Sequence, residues 1–273
     1  MKKSLLYLLT FLSWHAVAQT PVPDVASAAP PVPAPPQLGA ESYLLMDFNS
    51  GRVLIENNPD MRVEPASITK LMTAYVVFHE LAEGKIKLED TVTVSEHAWR
   101  TGGSRMFIEP NMQITVEDLI RGMVIQSGND ASVALAEHVA GSEAAFASLM
   151  NHFAQVLGMQ GTHFVNATGL PDPEHYTTAR DVALLSIATV RDFPDYYAWY
   201  SEKEFTFNNI RQHNRNTLLW RDPAIDGLKT GHTESAGNCL AASAKRDGMR
   251  LVSALMGSAS ESSRASETQT LLN

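Results

Sequence analysis

Two kinds of hydrophobic periodicity divide this chain, and their order restricts the folds open to it. Near the N-terminus, "SYLLMDFNSGRVLIENN" (Ser42 to Asn58) is two apolar runs around Asn49-Ser50-Gly51, the pattern of a β-hairpin. The middle of the chain carries apolar residues at helical spacing instead. Thr115-Val116-Glu117-Asp118 has the form of a capping box and opens "VEDLIRGMVIQ". "ASVALAEHVA" ends at Gly141, "EAAFASLMNHFAQVL" starts behind Ser142 and stops at Gly158, and "ARDVALLSIATVRD" takes Thr177 or Thr178 as its cap. From about Lys203 the period returns to that of strands: "KEFTFNN", "IDGLKTGHT", "GNCLAASAKRD" and "MRLVSALMGSA". Turns containing Ser-Ala-Gly and Asp-Gly separate the last three, as in an antiparallel meander. A hairpin at one end and a meander at the other can share one sheet. The expectation is an α+β domain: an antiparallel sheet of N- and C-terminal strands with an all-helical lobe inserted between them.

The ends of the chain read differently. Lys2 and Lys3, the apolar run Leu5 to Val17 and the small-x-small Ala16-Val17-Ala18 form a secretory signal peptide over 1–18, cleaved after Ala18. Residues 19–37 are a Pro/Ala-rich linker without apolar periodicity. The folded domain is therefore expected over 38–273. It stops at "SETQTLLN", inside an apolar helical pattern with no cap, which reads as truncation of a longer protein.

Bulk properties narrow the function. Net charge is −9, or −11 once Lys2 and Lys3 leave with the signal, and no basic run occurs, which argues against nucleic acid as a partner. Cys239 is the single cysteine, so no internal disulfide can form; in its apolar run it reads as a buried structural thiol. The histidines lack metal-ligand spacing, so neither metal nor other cofactor is expected. After the signal no long apolar segment follows, so the expected location is an exported, soluble compartment with no membrane anchor in this chain.

Three short motifs stand in order: Ser67-Ile68-Thr69-Lys70, Ser127-Gly128-Asn129 and Lys229-Thr230-Gly231. Each is weak alone; about one Ser-x-x-Lys is expected by chance in a chain this long. Together, each at an element boundary, they resemble the Ser-x-x-Lys, Ser-x-Asn and Lys-Thr-Gly signature of the penicillin-recognising serine enzymes. The segments between agree: "EPASITKLMTAYVV", "GGSRMF", "LIRGMVIQSGNDASVALAEHVAGS", "TARDVALL", "EFTFNNIRQHNRNTLLW" and "DGLKTGHTESAGNCLAASA" resemble the D-alanyl-D-alanine carboxypeptidases among the low-molecular-mass penicillin-binding proteins. The resemblance runs from about Leu38 to the end and implies the β-lactamase/transpeptidase-like fold.

The chemistry explains the residue types. Three apart at a helix start, Ser67 and Lys70 share a face, with Pro65 suited to the first turn. A serine hydroxyl needs a base, and lysine can be one only with a lowered pKa; a second cation, Lys229 on the facing strand, is the expected cause. By resemblance, Ser127 relays a proton to the departing amine (helix capping being its plainer role), and Asn129 holds a substrate amide and orients Lys70. Lys229 and Thr230 bind the substrate's terminal carboxylate. Gly231 admits the substrate backbone, and the N–H groups of Ser67 and His232 form the oxyanion hole. Arg215 resembles the position that assists carboxylate binding and Arg264 one in the last helix facing the site, a surface ion pair being the plainer role of each; Ser104 lines the cleft, or is a turn residue.

The implied activity is a periplasmic serine DD-carboxypeptidase, with peptidoglycan stem peptides ending in D-Ala-D-Ala and β-lactams as partners. A class A β-lactamase would need a loop glutamate. Glu174 is the nearest, but Thr178 stands where the accompanying asparagine is required. An endopeptidase, or a β-lactam or muropeptide-binding protein with little turnover because of truncation, are the other readings. The resembled family continues into a β-rich second domain and a C-terminal amphipathic helix, neither present in this chain. Inner-membrane association is expected only if such a helix follows.

Overall fold

The computed structural model describes residues 36–273. The expected signal peptide and all but the last two linker residues lie outside them. In chain order come β1 (Ser42–Asp47), β2 (Val53–Asn57), α1 (Lys70–Ala82), β3 (Thr91–Thr93), α2 (Glu96–Arg100), β4 (Gln113–Thr115) and α3 (Val116–Ile125). Then follow α4 (Asn129–Ala140), α5 (Glu143–Val156), α6 (Ala179–Asp192), α7 (Pro194–Tyr197), β5 (Glu204–Phe207), β6 (Ile210–His213) and α8 (Leu218–Arg221). The chain closes with β7 (Ile225–Thr233), β8 (Gly237–Arg246), β9 (Met249–Ser258) and α9 (Glu261–Leu272).

The hairpin and the meander do share one sheet, in the order β2-β1-β9-β8-β7. Its pairings are antiparallel: Leu44 faces Ala254 across β1 and β9, and Lys229 faces Ala241 across β7 and β8. Both faces are covered. Leu44, Met46, Cys239, Ala241 and Ala254 turn to the side of the helical lobe, while Leu45, Leu240, Ala242 and Ala244 meet Ala265 and Leu272 of α9. Strands buried on both sides lose the alternation of a half-wet sheet, which is why β8 reads as a nearly unbroken apolar run. As the last strand of the sheet, β7 presents an unpaired backbone edge to whatever lies beside it.

Helix ends follow the sequence. Thr115 Oγ1 accepts from the Asp118 N–H at the start of α3, Ser142 caps α5, and Thr178 rather than Thr177 caps α6. Gly141 ends α4 with φ 77°, a left-handed conformation that glycine adopts without steric cost. Three small elements escape periodicity: β3 and β4 pair over three residues each, and α2 has five, all shorter than a window that can show a period. The strand β6, paired with β5, is a further element outside the expected set. Asn208 and Asn209 both have positive φ, 48° and 63°, as a two-residue hairpin turn requires, and asparagine tolerates this better than most residues.

Candidate active site

The serine sits one step earlier than expected. Ala66–Thr69 form a 3-10 turn, and α1 begins at Lys70. Ala66 takes φ 46°, which aims its carbonyl away from the turn and towards Gly169. The tight turn still brings the pair together, with Lys70 Nζ 3.0 Å from Ser67 Oγ.

Lys70 is buried and its head has two further partners. Nζ donates to Asn129 Oδ1 at 2.6 Å and to the carbonyl oxygen of Thr168 at 2.7 Å. Two obligate acceptors therefore take two hydrogens, and the third tetrahedral position faces Ser67. In the ammonium that position carries a hydrogen; in the free amine it carries the lone pair. Burial is the main reason that the Lys70 pKa falls from 10.5 to about 7, partly opposed by the Asp130 carboxylate and assisted by the Arg215 cation. The expected cause, Lys229, is thus corrected: desolvation leads, and the second cation is Arg215. Lys229 is itself lowered, first by burial and then by Lys70, Arg215 and Arg264.

Ser127 lies between α3 and α4 and has φ 70°, an uncommon conformation for serine that turns its side chain towards β7. It does not cap α4, whose N-cap is Gly128. Its Oγ instead accepts from Lys229 Nζ at 3.0 Å, and Lys229 also donates to the Thr230 carbonyl at 3.1 Å. Asn129 spans the site: Nδ2 donates to the Gly102 carbonyl at 2.6 Å, and its backbone N–H donates to Ser104 O at 2.8 Å. One Nδ2 hydrogen stays available for a substrate carbonyl.

The cleft is lined by Ser67, Ser104, Ser127, Thr230, Gly231 and His232, and by Arg215, Arg264 and Glu261. Gly231 has a packing part besides its place in the cleft. A Cβ there would stand 3.0 Å from Pro65 O and 3.1 Å from Ile68 Cγ1, so glycine lets the Ser67 turn close on β7. Arg264 reaches the cleft from α9, buried, with its Nε without a partner. Among the described residues, no carboxylate comes within 4.0 Å of Lys229, Arg215 or Arg264, so the surface-ion-pair reading of the two arginines fails. Arg215, Arg264 and the Thr230 hydroxyl thus meet in one cleft, with the Glu261 carboxylate acting on Arg264 from the same lining. Glu174 is exposed in its loop and lines a different hollow with Arg62 and Glu64. It does not line the cleft that holds Ser67.

Sequence reasoning missed two supports. The carbonyl of Thr168 holds Lys70, and a backbone oxygen has no residue signature; Gly169, φ 84°, was the nearest signal. Asp130, beside Asn129, is buried and accepts from the N–H groups of Met106, Phe107 and Ala131 at 2.9, 3.0 and 2.9 Å. It ties the Ser104 loop to α4.

His175 is a further buried titratable group. Burial lowers its pKa from 6.5 to about 4, with Asp172 opposing and His163 and Lys70 assisting. The sign follows from linkage: the unfolded chain binds this proton first, so the contribution is complete above pH 6.5 and is lost as pH falls towards 4. We expect about 3 kcal/mol of stability to disappear over that window. Urea unfolding of the wild type and of His175→Gln at pH 7 and pH 4.5 isolates it, because only the wild type carries this titration.

With the geometry established, comparison with known proteins is direct. The profile of the family described as Peptidase S11, D-alanyl-D-alanine carboxypeptidase, matches residues 28–260. The chain is 50% identical over 248 residues to D-alanyl-D-alanine carboxypeptidase DacA of Escherichia coli (strain K12), an overlap of 88% of this chain and 62% of that protein. It thus spans less than two thirds of that relative's length. Penicillin binding protein 5 from Haemophilus influenzae superposes with a TM-score of 0.86 at 48% identity, covering 88% of this chain and 72% of that one. Penicillin-Binding Protein D2 from Listeria monocytogenes, solved in an ampicillin bound form, gives 0.80 at 28% identity, covering 88% and 98%. The fold is that of the penicillin-binding DD-peptidases, the β-lactamase/transpeptidase fold expected from the sequence. A family match over most of the chain, joined to half identity with a curated member, gives the assignment: this chain belongs to the D-alanyl-D-alanine carboxypeptidase family, Peptidase S11.

Proposed function

We propose that this chain is a serine DD-carboxypeptidase that removes the terminal D-alanine from peptidoglycan stem peptides ending in D-Ala-D-Ala, and that penicillins acylate the same serine. One observation carries the reading: a buried lysine whose pKa lies near neutrality, its third tetrahedral position aimed at Ser67 Oγ. The neutral amine takes the Ser67 proton as Oγ attacks the penultimate carbonyl. The N–H of Ser67, and that of His232 on the open edge of β7, meet the oxyanion; losing one such donor costs about 2.7–4 kcal/mol. Ser127, bridged to Lys229, hands a proton to the leaving amine. Lys229, Thr230 and the two arginines hold the terminal carboxylate, whose arrival favours the ammonium form of Lys229. Water then hydrolyses the ester. Glu174, the candidate lactamase base, lines a different hollow from Ser67, which favours slow release of a penicilloyl adduct.

The leader-like residues 1–18 support export, and the substrate class supports the periplasm as the working compartment. The terminal carboxylate supplies the sharpest test of the substrate. A peptide ending in D-Ala-D-Ala should release free D-alanine, and its C-terminal amide should be cleaved roughly 10- to 100-fold more slowly, the worth of charge-assisted hydrogen bonds. Equal rates for acid and amide would remove the carboxylate from the recognition scheme. Arg264→Gln should narrow the gap between the two substrates.

A further inference from the structure

The segment Phe164–His175 does more than lend Lys70 a carbonyl. It is sewn along one side of α1: Thr73 Oγ1 donates to Ala167 O at 2.7 Å, Lys70 Nζ to Thr168 O at 2.7 Å, and Thr69 Oγ1 meets His175 Nε2 at 2.8 Å. The last contact has a defined polarity. The Val165 N–H donates to His175 Nδ1 at 3.1 Å, so Nδ1 is the acceptor; Nε2 therefore carries the hydrogen and donates to Thr69. The imidazole joins the two ends of its own loop, Val165 and His175, to the residue next to Lys70. It is 2% exposed and packs edge-on against the Phe164 ring at 5.6 Å. It does not line the cleft that holds Ser67, so it does not touch substrate there.

We propose that His175 is a positioning residue for the reaction: by clamping Val165 and Thr69 it presses the Thr168 carbonyl onto Lys70 Nζ and so aims the lysine's third position at Ser67. The clamp needs an imidazole that donates at one nitrogen and accepts at the other, which only the neutral ring does. Burial keeps it neutral down to a pH of about 4; of the groups facing it, His163 and Lys70 assist and Asp172 opposes. This proposal rests on Lys70 being the base.

The test is the second-order rate of acylation by a fluorescent penicillin, measured on the folded full chain from pH 5.5 to 9. In the wild type the rate should rise through a midpoint near the Lys70 pKa of about 7. His175→Ala should lower the plateau roughly 10- to 100-fold, the scale of a small misplacement of a reacting group. It should also move the midpoint upward by about one unit, because water admitted behind the loop relieves the burial that depresses Lys70. His175→Gln, which keeps one donor and one acceptor, should restore most of the rate and the midpoint. Thr69→Val deletes only the hydroxyl and should copy the alanine variant without opening a cavity, which covers the case of an alanine variant that does not fold. A wild-type midpoint and rate in folded Thr69→Val or His175→Ala would overturn the clamp. So would a folded His175→Gln as impaired as the alanine variant. A wild-type profile with no midpoint near neutrality would instead sink the reading of Lys70, a distinct outcome.

Discussion

Lys70→Gln should acylate with penicillin roughly 10²- to 10⁴-fold more slowly than the wild type, the usual contribution of a positioned general base. The variant should remain folded, since a buried cation is exchanged for a neutral amide that can still meet the acceptors Asn129 Oδ1 and Thr168 O. Its residual acylation should also lose the pH dependence. In the wild type the ammonium has no lone pair for the Ser67 proton, so the rate falls about tenfold per unit below a pH of about 7 and levels off above it. In Lys70→Gln that limb should be flat. A variant that keeps both the rate and the slope would show that another group takes the proton.

Gly169→Ala is the second large effect, and it acts through packing. A Cβ at Gly169 would fall 1.8 Å from Ala66 O, 2.4 Å from Ala66 C and 2.8 Å from Thr69 Oγ1, with φ at 84°. Left-handed backbone costs an alanine about 1–2 kcal/mol, and overpacking a fixed backbone about 1–3 more. The loss of stability should therefore be roughly 2–5 kcal/mol, read from the urea midpoint. The clash is with the residue before Ser67, so the protein that remains folded should also acylate slowly. Gly84→Ala is the control: it has a similar φ of 69° but nothing within 4 Å, and should cost only the backbone part. Equal losses at the two glycines would mean that the contact with Ala66 carries no weight.

Much of this was legible in the sequence because the chemistry sits on side chains at element boundaries. Ser67 and Lys70 mark the entry to α1, Ser127 and Asn129 the break between α3 and α4, and Lys229 the edge strand β7. The strand-like ends and helical middle pointed to a shared sheet with an inserted lobe, and the structure covers both faces of that sheet. What stayed hidden belongs to the backbone and to the third dimension. The Thr168 carbonyl leaves no mark in a one-letter code. Gly231 also packs against Pro65 and Ile68, a contact between residues far apart in the chain. The cause of the lowered Lys70 pKa was sought in a nearby charge, whereas burial supplies most of it, and burial is a property of the packed core rather than of any motif.

One measurement bears most directly on the central claim that Ser67 is a nucleophile served by Lys70 in a carboxylate-recognising cleft. The full chain is incubated with penicillin, its intact mass is taken, and the adduct is mapped by peptide digestion. A parallel sample is given a D-Ala-D-Ala peptide and assayed for free D-alanine. The account predicts a single slowly released adduct on the peptide containing Ser67, D-alanine release in the wild type, and loss of both in Ser67→Ala. An adduct elsewhere, or D-alanine release undiminished in Ser67→Ala, would contradict it.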